Sequence, residues 1–171
     1  MIPVRHAVLA GLLIWIAAIL QGRVSHALAL GGAQPDLPLV ALACGAQLLG
    51  SAWGIRLGFW AGLLAAAASP QAYGSVFLAR IAAGAFAGGI GRSLIRDNLL
   101  VPPLVALTTT VLAEAISLLM APGPARHHVR HWFGLAAGEV LYNALLALPV
   151  SLLLRLLGVG RPRDDRMGLL R

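Results

Sequence analysis

Residues 6–22 read HAVLAGLLIWIAAILQG and contain no Asp, Glu, Lys or Arg. An uncharged apolar stretch of this length is typical of a helix that crosses a lipid bilayer. Five more apolar stretches follow along the chain, and lipid offers no hydrogen-bond partners to exposed backbone, so each stretch must be helical. We therefore predict an all-α, polytopic membrane protein with six transmembrane helices.

The composition supports the same class. Of the 171 residues, 59% are apolar and 11% are charged, whereas a soluble domain is about 25% charged. The mean hydropathy is +0.85. These values argue against a cytosolic enzyme, a disordered tail and a disulfide-rich secreted module, and Cys44 has no second cysteine with which to form an internal bridge. We predict one transmembrane domain over residues 1–160 and a basic cytoplasmic tail over residues 161–171.

The breaks between apolar stretches set the expected helix ends. Asp36 is the expected N-cap of the second helix, because its carboxylate can accept a hydrogen bond from the first turn. A helix over 37–49 would reach only about 20 Å, short of a hydrocarbon core of about 30 Å. The second and third helices are therefore either full spans or partly re-entrant. The six predicted helices cover residues 6–22, 37–49, 52–68, 74–95, 99–120 and 132–157.

Positive charge predicts the orientation. If the N-terminus is cytoplasmic, nine arginines fall inside and three fall outside, which favours both termini in the cytoplasm. The net charge of +7 arises from arginines between or beyond apolar runs, so we expect contact with membrane lipid and no binding to nucleic acid. The nine inside are Arg5, Arg56, Arg92, Arg96, Arg155, Arg161, Arg163, Arg166 and Arg171.

Glycines recur every four residues in two helices. Gly54, Gly58 and Gly62 share one face of the third helix, and Gly84 and Gly88 repeat the spacing in the fourth. Small residues at this spacing let another helix backbone approach closely. We interpret these faces as helix packing within the bundle, with a partner interface as the alternative.

Ionisable groups inside a bilayer are costly and are candidates for function. Arg80 lies in the fourth helix and Glu114 near the middle of the fifth, after a run of three threonines. Our hypothesis is that Glu114 faces the bundle interior, protonated or hydrogen-bonded to Thr or Arg. Glu139 and Asn143 are four residues apart and share a face of the sixth helix, where hydrogen bonding between helices is the expected role.

The sequence shows no pattern of an enzyme or of a bound cofactor. It has no nucleophile-elbow motif, no zinc-protease motif and no phosphate-binding glycine loop ending in Lys. His127 and His131 have the spacing of two metal ligands on a helix, but arginines adjoin them and no carboxylate is near. We therefore predict no catalytic residues, no cofactor and no metal.

Several stretches resemble the rod shape-determining protein MreD family of bacterial inner-membrane proteins. The likeness covers nearly the whole chain in length, order and hydropathy. One difference is that family members often carry an Asp where this chain has Ala66. The matching segments are residues 34–37 (QPDL), Gly54 to Leu64, Gly84 to Gly88 before Arg92, and residues 139–146 (EVLYNALL).

The resemblance implies a fold similar to the substrate-binding subunits of energy-coupling-factor transporters. It also implies a partnership with the single-pass protein MreC and, through it, with MreB and the peptidoglycan synthases of the elongation complex. The expected function is thus a non-enzymatic membrane scaffold. The alternative is a small-molecule-binding subunit of a vitamin-type transporter, with Glu114, Glu139 and Asn143 as possible pocket residues.

Overall fold

The computed structural model describes residues 4–29, 32–69, 73–94, 98–120 and 129–160. Within these ranges the chain forms α-helices and no strand, which confirms the all-α prediction. The predicted tail over 161–171 lies outside the described residues. The helices are α1 (Val4–Ala27), α2 (Leu37–Leu49), α3 (Ser51–Ala68), α4 (Tyr73–Ser93), α5 (Val101–Leu119) and α6 (Val129–Leu156).

Among the described residues, four helices are long and apolar enough to cross a membrane: α1, α4, α5 and α6. Large apolar side chains remain exposed along them, for example Ile19 on α1 and Leu145 on α6. A soluble protein would avoid such extended apolar surface, so these helices indicate a membrane protein. α2, at 13 residues, and α3 fall outside the set of four, which leaves the predicted six spans only partly supported.

Helix α2 is the core of the bundle. Twelve of its 13 residues are buried, and it packs against all five other helices. A helix that is apolar all round is stable only when it is covered on every side. α2 can therefore be short, because its neighbours rather than its own length shield it from lipid.

The two ends of α2 follow local sequence rules. The Asp36 side chain accepts a hydrogen bond of 2.9 Å from the backbone N–H of Leu39, which confirms Asp36 as the N-cap. Gly50 adopts a φ of 89°, a left-handed conformation that favours glycine. The chain turns at this residue, and α3 begins directly after it at Ser51.

The glycine faces of α3 and α4 lie against each other. The contacts run from Gly54 with Gly84 to Gly58 with Arg80, so the two helices are antiparallel. A Cβ atom added to Gly58 would lie 2.5 Å from the carbonyl oxygen of Arg80, closer than any methyl group can approach. Gly62 faces Phe77, and Gly88 faces the turn at Gly50 in the same way. The repeated glycines are thus covered within the chain.

Candidate functional site

Polar side chains from five elements meet at the start of α2. Arg80 of α4 forms an ion pair with the Asp36 carboxylate. Their side chains are only 11% and 17% exposed. A buried charge is tolerated when it is paired in this way, because the partner replaces the lost hydration.

Asn143 of α6 joins three parts of the fold and is completely buried. Its Oδ1 accepts a hydrogen bond of 2.9 Å from the backbone N–H of Asp36. Its Nδ2 donates to the Thr110 hydroxyl of α5 at 3.1 Å. Thr110 in turn donates to the carbonyl of Ala106 at 2.8 Å. Asn143 therefore links α6 and α5 to the residue that caps α2.

Gln21 adds the end of α1 to this group. Its Oε1 accepts from the backbone N–H of Leu37 at 2.9 Å, and its Nε2 donates to the carbonyl of Pro35 at 2.9 Å. The first N–H groups of a helix have no partners within that helix. Here the N–H of Leu37 is met by Gln21 from α1, and that of Leu39 by the capping residue Asp36.

We call the polar side chains that meet here the α2 polar cluster; they are Gln21, Asp36, Arg80, Thr110, Glu139 and Asn143. Thr110 is the middle residue of α5, which runs from Val101 to Leu119, so the cluster lies level with the interior of that helix rather than at its ends. α2 consequently starts inside the bundle and not at its surface.

Glu114 of α5 and Glu139 of α6 lie at the border of the bundle, where both are partly exposed. Glu139 accepts from Asn143 Nδ2 across 3.5 Å, at the limit of a hydrogen bond. Glu114 makes no hydrogen bond within the described ranges and is partly exposed. It is the polar member of an otherwise apolar groove of about 630 Å³ between α5 and α6. Our hypothesis allowed a hydrogen bond from Glu114 to a Thr or Arg, but Arg80 and Thr110 bond instead to Asp36 and Asn143.

A second, smaller cavity of about 210 Å³ lies beside the ion pair. Its polar lining comes from Gln21, Asp36, Ser69 and Arg80, and its apolar lining from residues such as Leu64 and Val76. Arg80 Nε and Nη1 are buried and have no partner among the described residues. The cavity therefore has room for a small polar group next to a guanidinium that is only partly satisfied.

The sequence pointed to part of this site. Arg80, Glu139 and Asn143 stood out as polar residues in apolar helices, and the structure brings Arg80 and Asn143 together at Asp36. Gln21 and the ion-pairing role of Asp36 were missed. A signal was present, because an uncompensated Arg in a membrane helix needs a carboxylate.

Among the residues that the structure describes, no three His, Cys, Asp or Glu side chains are grouped closely enough to hold a metal ion. His127 lies outside those residues. No protein-family model, curated protein or solved structure matches the chain. The bonds of the α2 polar cluster attach α2, a short helix with twelve of its 13 residues buried, to four other helices.

Proposed function

We propose that this chain is a non-enzymatic membrane scaffold that helps to assemble the bacterial cell-elongation complex, as the resemblance to the MreD family implies. The observation that supports this best is the use of the polar groups inside the bundle. The side chains of the α2 polar cluster bond to one another and to the start of α2, and so hold the helices in fixed relative positions.

A reaction centre needs groups that are free to touch a substrate. Both oxygens of Asp36 are engaged, one by Leu39 and one by Arg80. Both ends of the Asn143 amide are engaged as well. A cluster of this kind supplies rigidity, which a protein that acts by presenting fixed helix faces to partners requires.

The proposed arrangement in the membrane has both termini in the cytoplasm and all six helices embedded in lipid, with α2 and α3 completing the bundle. The geometry supports it in one respect. Arg5 at the start of α1 lies close to Gly158 after α6, since a Cβ on Gly158 would be 3.9 Å from Arg5 Nη2. The start of α1 and the end of α6, which carry Arg5 and Arg155, thus lie on one side, as the positive-inside rule expects of cytoplasmic ends.

The proposed partners are MreC directly, and MreB and the peptidoglycan synthases indirectly. A fold like that of energy-coupling-factor substrate-binding subunits is part of the same proposal. Co-expression of the full chain with a tagged MreC from the same cells, followed by purification in detergent, tests the direct contact. The expected result is recovery of both proteins in constant ratio.

Depletion of the protein in its own host tests the cellular role, and rounded cells are the expected outcome. Cells that keep their rod shape after depletion would contradict the scaffold proposal. Recovery of MreC in an amount no greater than that of an unrelated single-pass protein, used as the matched control, would contradict the direct contact.

A transporter subunit that binds a small molecule is the second candidate, because the cavity beside Arg80 has unpaired N–H groups next to it. Under this alternative the purified chain carries a vitamin-like ligand or is recovered with an energising ATPase. Native mass spectrometry of the purified protein distinguishes the two functions. A bound mass that disappears in Arg80→Met but persists in Glu139→Gln would favour transport.

A further inference from the structure

We propose that the groove between α1 and α3 is a binding site for one anionic phospholipid, with its phosphate at Arg56 and an acyl chain along the groove. The groove has a volume of about 470 Å³. Arg56 is its one charged lining residue, and the rest of the lining is apolar or aromatic. It is lined by Val4, Ala7, Val8, Gly11, Leu12, Ile14, Trp15, Trp53, Arg56, Leu57 and Trp60.

The part of the groove around Arg56 is suited to a phosphate. The Arg56 side chain is exposed, and its guanidinium carbon lies 4.7 Å from the centre of the Trp53 ring. This cation–π contact holds the guanidinium in place and leaves its N–H groups available. Arg5, also exposed, lies at the start of α1 on the same side.

No carboxylate in the described part of the chain competes for this charge. The acidic residues there are Asp36, Glu114 and Glu139, and all three lie in or beside the α2 polar cluster. Arg56 makes no salt bridge with any of them, and the ion pair recorded among these residues joins Arg80 to Asp36. An exposed arginine with no counter-ion in the described part of the chain is complementary to the headgroup of an anionic lipid.

The apolar part of the groove matches one acyl chain. From Val4 to Trp15 the α1 wall rises about 17 Å, close to half of a hydrocarbon core of about 30 Å. Trp15 and Trp60 are 48% and 53% exposed, so their rings form open walls on which a chain can lie. A guanidinium beside an apolar trough about one leaflet long fits an amphiphile better than it fits a transmembrane helix, which would place apolar residues against Arg56.

Native mass spectrometry of the full-length protein, titrated with phosphatidylglycerol in detergent, tests the site. We expect one lipid to bind tightly, in preference to phosphatidylcholine. Arg56→Gln should weaken this binding about five-fold, the effect of one arginine near a lipid phosphate. Arg23→Gln is the matched control, because Arg23 is also exposed but lies at the opposite end of α1.

A second variant tests the groove without changing charge. Gly11 lines it, and Gly11→Leu places a side chain where the acyl chain would lie, so it should also reduce binding of the first lipid. Equal losses from Arg56→Gln and Arg23→Gln would overturn the proposal in favour of diffuse attraction to basic residues. A protein dimer that Gly11→Leu abolishes would instead show that a second copy fills the groove. The cell-shape test of the scaffold can fail without affecting any of these outcomes.

Discussion

At the scale of single residues, the fold depends on a few polar side chains that meet far apart in sequence. Asp36 as a helix cap could be predicted, because capping involves neighbours within one turn. Its ion pair with Arg80 spans 44 residues, and its bond to Asn143 spans 107. Such pairs depend on how whole helices pack, and no spacing in the sequence encodes that directly.

Asn143→Ala should destabilise the protein by about 1–3 kcal/mol, because it leaves the backbone N–H donor of Asp36 and the acceptor oxygen of the Thr110 hydroxyl without their buried partner. Thermal unfolding in detergent measures the effect. Glu139→Gln is the control, since it retains an oxygen to accept the long contact from Asn143 and should change stability little. Equal effects of the two variants would show that the bonds of Asn143 contribute no specific stability.

Arg80→Met should cost about 3–5 kcal/mol, because the Asp36 carboxylate remains buried without its counter-ion. Adding Asp36→Asn, which keeps the cap, should recover part of this loss. A double-mutant cycle in the same unfolding assay measures the coupling. Additive losses from the two substitutions would contradict a direct ion pair.

At the scale of helices, the glycine repeats show both what a pattern can predict and where it stops. The four-residue spacing predicts a face made for close approach. It cannot say whether the opposing surface belongs to another protein or to this chain. The structure places Gly54 against Gly84, because α4 runs antiparallel to α3 in the same chain.

Two adjacent glycines of α4 offer a matched pair for testing this packing. A Cβ on Gly88 would lie 2.5 Å from backbone atoms of Gly50 and Ser51, whereas a Cβ on Gly89 meets nothing within 4 Å. Gly88→Ala should therefore destabilise the protein by about 1–3 kcal/mol. Gly89→Ala should be neutral or slightly stabilising, because alanine favours a helix. The opposite order of melting temperatures would contradict the α3–α4 contact.

At the scale of the whole molecule, composition alone predicted a helical membrane protein, since few polar residues are available to cover its surface. The number of spans was harder to predict. Hydropathy does not distinguish one apolar stretch from another. The apolar side chains of α2 face the rest of the protein, whereas many of those of α1 are exposed, as expected of a helix that faces lipid. Burial separates these cases, with Leu42 fully covered and Ile19 largely exposed.

The proposed orientation predicts which residues a membrane-impermeant maleimide can reach in intact cells. Leu28→Cys, after the end of α1, should react from outside, while Leu157→Cys, after α6, should react only after permeabilisation. Native Cys44 is buried and should contribute little background. Labelling of Leu157→Cys in intact cells would contradict cytoplasmic termini.

The complete enclosure of α2 also constrains how the chain is made. α2 is synthesised second. The side-chain amide of Asn143, which accepts a hydrogen bond from the N–H of the capping residue Asp36, belongs to the last helix, 107 residues later. Until Asn143 leaves the ribosome and enters the bilayer, the nascent chain has an open hydrogen-bond donor at Asp36. Insertion therefore cannot finish helix by helix, and a truncated product that stops before α6 should be held by the insertion machinery or degraded.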